Sequence, residues 1–155
     1  MRKVYFGFTV LTMIAVLAQF YLATFGAFET PHPAVGDESA MIGYHALNGT
    51  MVIPLVSLLT TIVAALARVG GRLIGLSIAP LALVVVQLFV IFPLAELAGA
   101  SENETTTASL FVLGFHALDG VAILAVAVIL LREARGLLRE TAVLGTAPSG
   151  TSTPV

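Results

Sequence analysis

The sequence predicts an all-α integral membrane protein, a four-helix up-down bundle built from two tandem helical hairpins. Three observations predict this class: an apolar composition, four long apolar runs and a motif that occurs twice. Of the 155 residues, 58% are apolar and only 10% are charged, whereas soluble domains average about 45–50% apolar and about 25% charged residues. The absence of cysteine excludes a disulfide-stapled module. The net charge of −2 leaves no basic surface for nucleic acid.

The four apolar runs predict four membrane spans, at residues 4–28, 40–67, 73–95 and 108–131. Each run reaches the length of about 20 residues that a helix needs to cross about 30 Å of hydrocarbon. Three prolines lie inside the runs, where they are expected to bend the helices: Pro54, Pro80 and Pro93. Residues 1–140 are therefore predicted to form one transmembrane domain. Residues 141–155, rich in Gly, Pro, Ser and Thr, are predicted to form a flexible cytoplasmic tail.

The basic residues predict the orientation of the chain in the cell membrane. All seven precede span one, lie between spans two and three, or follow span four: Arg2, Lys3, Arg68, Arg72, Arg132, Arg135 and Arg139. The loops at 29–39 and 96–107 carry carboxylates and no Lys or Arg. The positive-inside rule therefore predicts that both termini are cytoplasmic and that both acidic loops face outward. The first run exceeds the 7–15 apolar residues of a signal peptide, so it is predicted to be a retained helix.

An internal repeat relates the two halves of the chain. Span two contains Gly-Tyr-His-Ala-Leu-Asn-Gly at 43–49, and span four contains Gly-Phe-His-Ala-Leu-Asp-Gly at 114–120. The two heptapeptides differ only by Tyr/Phe and Asn/Asp. Spans one and three each carry a single glutamine, Gln19 and Gln87, at corresponding depth. Because each unit has two crossings, the repeat is predicted to be parallel, about an axis along the membrane normal.

The duplicated histidines, His45 and His116, are the candidate ligands of a cofactor. Spans two and four run in the same direction and lie diagonally in an up-down bundle, so the two imidazoles are expected to face one another across its axis. Bis-histidine ligation of one haem b iron needs this arrangement. Four glycines flank the histidines and would let a flat porphyrin approach the backbone: Gly43, Gly49, Gly114 and Gly120. Four phenylalanines are candidates for apolar walls, although a lipid-facing or core position is the favoured alternative: Phe20, Phe89, Phe111 and Phe115.

Four polar residues are candidates to support the ligands. Asn48 and Asp119 follow the histidines by three residues, and Gln19 and Gln87 lie on the other two helices. Such groups hold an imidazole N–H or a propionate and fix the tautomer of a ligand. Placing an ionisable residue such as Asp119 within a span costs at least about 2.5–3.5 kcal/mol, so Asp119 is a functional candidate. The alternative is that these residues, like the histidines, form interhelical hydrogen bonds and no more.

The four spans, with a histidine near the outer start of spans two and four, resemble one four-helix half of haem A synthase over residues 4–135. They are also similar in their arrangement of ligands to b-type membrane cytochromes. A further resemblance is to an uncharacterised family of small four-span prokaryotic proteins with an H-x-L-[ND]-G motif. The likeness to the synthase implies that His45 and His116 ligate or hold a haem. The usual Glu before and Arg after the first histidine are replaced by Met-Ile at 41–42 and by Ala46, so the synthase reaction is not expected.

The leading functional prediction is a single-haem b-type cytochrome, in electron transfer or redox sensing near the outer leaflet. Such a protein is more an electron carrier than an enzyme, and it needs a quinol or a redox protein as partner because one haem does not bridge about 30 Å of hydrocarbon. Two alternatives stay open. One is a protein that binds haem reversibly for delivery or modification, and the other is a cofactor-free accessory subunit or small transporter. The sequence does not predict the oligomeric state.

Overall fold

The computed structural model describes residues 1–33, 37, 39–101 and 104–146, with 141–146 described by their backbone alone. The described residues contain four long helices: α1 (Arg2–Phe28), α2 (Ile42–Leu66), α3 (Gly71–Leu97) and α4 (Thr107–Thr146). The described part of the chain contains no strand. Each of the four helices is long and apolar enough to cross a membrane. The predicted all-α, multi-pass architecture is therefore confirmed.

The helix bounds follow the predicted spans closely except at the end of α4. That helix continues to Thr146, beyond the predicted span end at 131 and six residues into the predicted tail. The physical reason is that good helix formers such as Leu, Ala, Arg and Glu fill this segment, and no proline interrupts it before Pro148. The rest of the predicted tail, 147–155, lies outside the described residues.

The helices alternate in direction, and consecutive helices pack side by side. α1 packs against α2 and α4, and α3 packs against α2 and α4, so α2 and α4 are diagonal as predicted. We call the end of the bundle that carries the Lys and Arg residues the basic end, and the opposite end the acidic end. At the basic end, Arg72 Nη1 lies 3.3 Å from Glu133 Oε1 and links α3 to α4. Both side chains are largely exposed, so this ion pair adds little stability.

Two apolar clusters hold the bundle together. One lies at the basic end, where Tyr5 of α1 is fully buried against Ala64 of α2 and Ala134 of α4. The short turn between α2 and α3 closes this end, and Gly70 there has φ 98°, a conformation that strains any residue with a side chain. The other cluster fills the middle of the bundle and consists of Ala15, Val16, Ile53, Val84, Ile123 and Ala127.

A buried serine compensates for the proline inside α3. Ser57 Oγ of α2 donates to the Ser77 carbonyl at 2.6 Å and accepts from the Leu81 N–H at 3.3 Å. The hydroxyl thus lies between two backbone groups on either side of Pro80. The proline has no N–H to donate, and its ring clashes with the carbonyl four residues earlier. This contact supplies hydrogen-bond partners for the two backbone groups and links α2 to α3 in the basic half of the bundle.

We expect Ser57→Ala to lower the free energy of unfolding by about 1–2 kcal/mol, because it removes both hydrogen bonds from a fully buried site. The measurement is the unfolding transition of the purified protein in detergent. Thr24→Ala is the control, since Thr24 is exposed and bonds only within its own helix. An equal change in the two variants would contradict the bridging role of Ser57.

Two widened helical turns open the acidic half of the bundle. In α2 the turn Asn48–Val52 is π-helical, and in α3 the turn Gln87–Ile91 is π-helical. Each widened turn ends two residues before a proline, Pro54 or Pro93. In a regular α-helical turn the preceding backbone would lie too close to the proline ring. On the acidic side of these turns, α2 packs against α1 and α3 packs against α4, while the packing of α2 on α3 is concentrated on the basic side. A cavity therefore forms between the acidic halves of the four helices.

Candidate functional site

The cavity has a volume of about 310 Å³ and receives side chains from all four helices. This volume lies at the lower end of the range typical of small-molecule sites. Its polar lining groups are Gln19, His45, Thr50, Gln87 and His116. The rest of the lining is apolar or small: Val16, Phe20, Ala23, Ala46, Gly49, Ile53, Val84, Leu88, Phe92, Ala117, Gly120 and Ile123. The mid-bundle cluster closes the cavity on its basic side.

The two repeated histidines meet in this cavity. The ring centroids of His45 and His116 are 6.0 Å apart, and the ring planes are inclined by 60°. An imidazole nitrogen binds a transition metal at about 2 Å, which separates two rings that share one ion by roughly 6 Å between centroids. The distance between the two rings is thus compatible with one ion between them.

Hydrogen bonds fix the ring of His45 on both sides. Its Nδ1–H donates to the Gln19 carbonyl at 3.0 Å, and its Nε2 accepts from Gln19 Nε2 at 3.1 Å. Asn48 Nδ2 in turn donates to Gln19 Oε1 at 2.8 Å and to the Ala15 carbonyl at 2.9 Å. Every bond in this chain agrees with a neutral His45 that carries its proton on Nδ1, because a carbonyl oxygen accepts only. Gln19 therefore holds the ring of His45, and Asn48 holds the side chain of Gln19.

The second repeat lacks the equivalent network. His116 Nδ1 and Asp119 Oδ2 are buried and have no hydrogen-bond partner among the described residues. Gln87 lines the cavity, but its side chain forms no hydrogen bond within the described part of the chain. The ring of His116 instead stacks on Phe92, with centroids 5.6 Å apart and planes inclined by 28°. Van der Waals contact with an aromatic ring is thus the interaction that orients His116.

The residues three positions after the two histidines also differ in their contacts. Asn48 and Asp119 are equally buried, each 8% exposed. The amide of Asn48 donates two hydrogen bonds, to a helix carbonyl and to a glutamine oxygen. A carboxylate has only acceptor atoms and does not donate to such oxygens. Asn48 thus has both of its partners, whereas Asp119 Oδ2 has none among the described residues.

The four predicted glycines fall into two classes. Gly49 and Gly120 line the cavity, whereas Gly43 and Gly114 do not. A Cβ at Gly49 would lie 2.6 Å from Gln19 Nε2, so a larger residue there would displace the glutamine amide that bonds His45. A Cβ at Gly43 or Gly114 would meet no atom within 4 Å. Gly49 and Gly120 are therefore the two glycines of the repeated motifs that border the site.

The four phenylalanines named from the sequence divide between the cavity and the outer surface of the bundle. Of the four predicted phenylalanines, only Phe20 lines the cavity. The other three point away from the bundle and are largely exposed: Phe89, Phe111 and Phe115. The aromatic partner of His116 is Phe92, which the sequence analysis missed. Its position depends on the π-helical turn at Gln87–Ile91, and the single sequence signal for that turn is Pro93.

The donor set suits a haem better than a bare metal ion. The described residues contain no group of three or more His, Cys, Asp or Glu side chains that could hold an ion, and structural zinc takes four ligands. A haem iron takes two axial ligands from the protein, and the two imidazoles are the groups that would hold it. The unpartnered Nδ1 of His116, the small residues Gly49 and Gly120 and the apolar lining fit such a group.

Fold and site together define the class of protein, a multi-pass four-helix membrane protein with a paired-histidine cavity. Residues 19–95, just under half of the chain, match the model of a family of unknown function, DUF6220. The chain is thus similar to an uncharacterised family, and the matched segment contains Gln19, His45 and Asn48 but stops before His116. No curated protein and no solved structure matched the chain.

Proposed function

We propose that this protein is a single-haem b-type membrane cytochrome with His45 and His116 as axial ligands. One observation carries the proposal: two imidazoles from diagonal helices lie 6.0 Å apart across an apolar cavity inside the bundle. A haem iron held by two histidines exchanges single electrons without changing its ligands. Electron transfer or redox sensing is therefore the function that the site supports best.

The residues around the cavity have separate tasks in this proposal. The Nδ1–H bond from His45 to the Gln19 carbonyl presents Nε2 as the ligand atom. In this proposal the Gln19 amide that is now bonded to Nε2 leaves its position when the iron binds. Val84, Leu88 and Ile123 exclude water, which keeps the environment of the iron apolar.

The position of the site determines what the cytochrome needs from other molecules. The cavity lies in the acidic half of the bundle, which the positive-inside rule assigns to the outer leaflet, with both termini in the cytoplasm. One haem there does not bridge about 30 Å of hydrocarbon. A quinol in the bilayer or a redox protein at the surface is therefore the proposed electron partner.

The test is a reduced-minus-oxidised absorption spectrum of the detergent-purified protein, with a pyridine haemochrome assay of haem per chain. We expect a sharp low-spin b-type spectrum with about one haem per chain. His45→Ala and His116→Ala should each lose the low-spin spectrum, and His32→Ala should retain it because His32 lies in the exposed loop after α1. An unchanged spectrum in either cavity variant would contradict the ligand assignment.

A cofactor-free accessory subunit or small transporter is the second candidate. The observation that favours it is that His45, Gln19 and Asn48 satisfy one another without any ligand. A protein that stays colourless after haem-supplemented expression would support this candidate against the cytochrome. A third possibility, reversible haem handling, predicts the same ligands but transfer of the haem to an apo-acceptor protein.

A further inference from the structure

We propose that the two histidines are unequal ligands: His45 is the permanent ligand of the haem, and His116 is displaced by a small neutral diatomic molecule. This inference rests on the proposed haem site and goes beyond it, because it makes the protein a binder of a gaseous ligand. The partner chemistry is that of an uncharged two-atom molecule such as carbon monoxide.

His45 has the support of a permanent ligand. Its Nδ1–H is bonded to a main-chain carbonyl of α1, which a movement of the Gln19 side chain does not break. Asn48 is buried next to it and anchored to the Ala15 carbonyl of the same helix. Outer hydrogen bonds of this kind orient a ligating imidazole, and their loss costs about 10–100-fold in metal affinity.

His116 has none of these bonds in the described part of the chain. Its Nδ1 is buried without a partner, and Asp119, three residues further along the helix, has an unpartnered buried oxygen as well. Stacking on Phe92 is a contact without a hydrogen bond. The bond from His116 to the iron is therefore the weaker of the two axial bonds.

The cavity has room for an exchanged ligand and favours an uncharged one. Ala117 and Gly120 lie beside His116 on α4, and a Cβ at Gly120 would touch only Phe20, at 3.8 Å. Val84 and Leu88 of α3 and Ile123 of α4 complete the apolar lining, which does not solvate an anion. In the exchange, the coordination bond to His116 breaks and one bond to the diatomic molecule forms. The oxidation state of the iron does not change, and no proton is released.

Carbon monoxide is the probe that tests the inference. The haem-loaded protein in detergent is reduced with dithionite and mixed with carbon monoxide, and the difference spectrum and its rate of formation are recorded. We expect a carbon monoxide spectrum in the wild type, and at least about a tenfold faster reaction in His116→Ala, where no ligand has to leave. His45→Ala should retain about 10–100-fold less haem than His116→Ala.

Asp119→Asn gives a second and nearly isosteric test. The new amide corresponds to that of Asn48, which holds Gln19 in the first repeat. It should therefore stabilise His116 and slow the reaction with carbon monoxide several-fold. His32→Ala, in the loop after α1, is the control and should react like the wild type. An unchanged or faster reaction in Asp119→Asn would contradict the proposed cause of the asymmetry.

The outcomes separate this inference from the proposed function. A wild type without haem overturns both. A six-coordinate haem that does not react with carbon monoxide overturns the inference alone and leaves the cytochrome. Haem retained by His45→Ala but lost from His116→Ala would reverse the ligand roles and also overturn the inference.

Discussion

Gly49→Leu is expected to lower the haem content of the purified protein by about 10–100-fold, a loss typical of disrupted ligand support. The Cβ alone would approach Gln19 Nε2 to 2.6 Å, so the glutamine that holds His45 has to move. The remainder of the leucine side chain would project into the cavity that Gly49 lines. The measurement is haem per chain by pyridine haemochrome after haem-supplemented expression.

Gly43→Leu is the matched control for this experiment. Gly43 lies on the same helix and in the same repeated motif, but a Cβ there meets no atom within 4 Å and the residue does not line the cavity. It should therefore bind haem like the wild type. Equal haem loss in the two variants would show that a general effect on α2, and not the filled cavity, removes the haem.

Tyr5→Ala should lower the free energy of unfolding by about 3–5 kcal/mol, the range found for the truncation of large buried side chains. Tyr5 is completely buried where α1 meets α2 and α4, beside Ala64 and Ala134. The buried neighbours Ala64 and Ala134 are too short to fill the hole, so the packing contacts of the ring with them are lost. The measurement is the denaturation of the protein in detergent, followed by circular dichroism.

Two further tyrosine variants separate packing from other effects. Tyr21→Ala should change stability little, because Tyr21 is 68% exposed on the surface of the same helix. Tyr5→Phe should cost about 1 kcal/mol or less, because the hydroxyl forms only a long contact of 3.4 Å with Ser77. If Tyr5→Phe destabilised the protein as strongly as Tyr5→Ala, the hydroxyl and not the ring would be the stabilising group.

Much of the fold is predictable from the sequence because a bilayer restricts the choice. Backbone groups in hydrocarbon have to bond within the same segment, so long apolar runs become helices. Short connections such as 67–70 then force neighbouring helices to be antiparallel, and the diagonal placement of α2 and α4 follows. The end of α4 was less predictable, because beyond residue 131 the bilayer no longer sets the helix length.

The candidate site was predictable in its members but not in its contacts. The repeated motif identified His45 and His116, and the structure brings both into one cavity. The motif could not distinguish Gly49 from Gly43, because their difference depends on where Gln19 of another helix lies. It also gave no sign of Phe92, which reaches His116 only through the widened turn in α3.

The sequence by itself determined the four apolar helices, the charge difference between the two ends and the pairing of the histidines. Each of these follows from composition or spacing along one chain. Only the tertiary structure decided that the acidic half opens into a cavity and that the two histidines differ. The physical reason is that both features depend on partners from other helices. Asn48 finds two acceptors on α1, while Asp119, in the equivalent position, is buried without a partner for Oδ2 among the described residues.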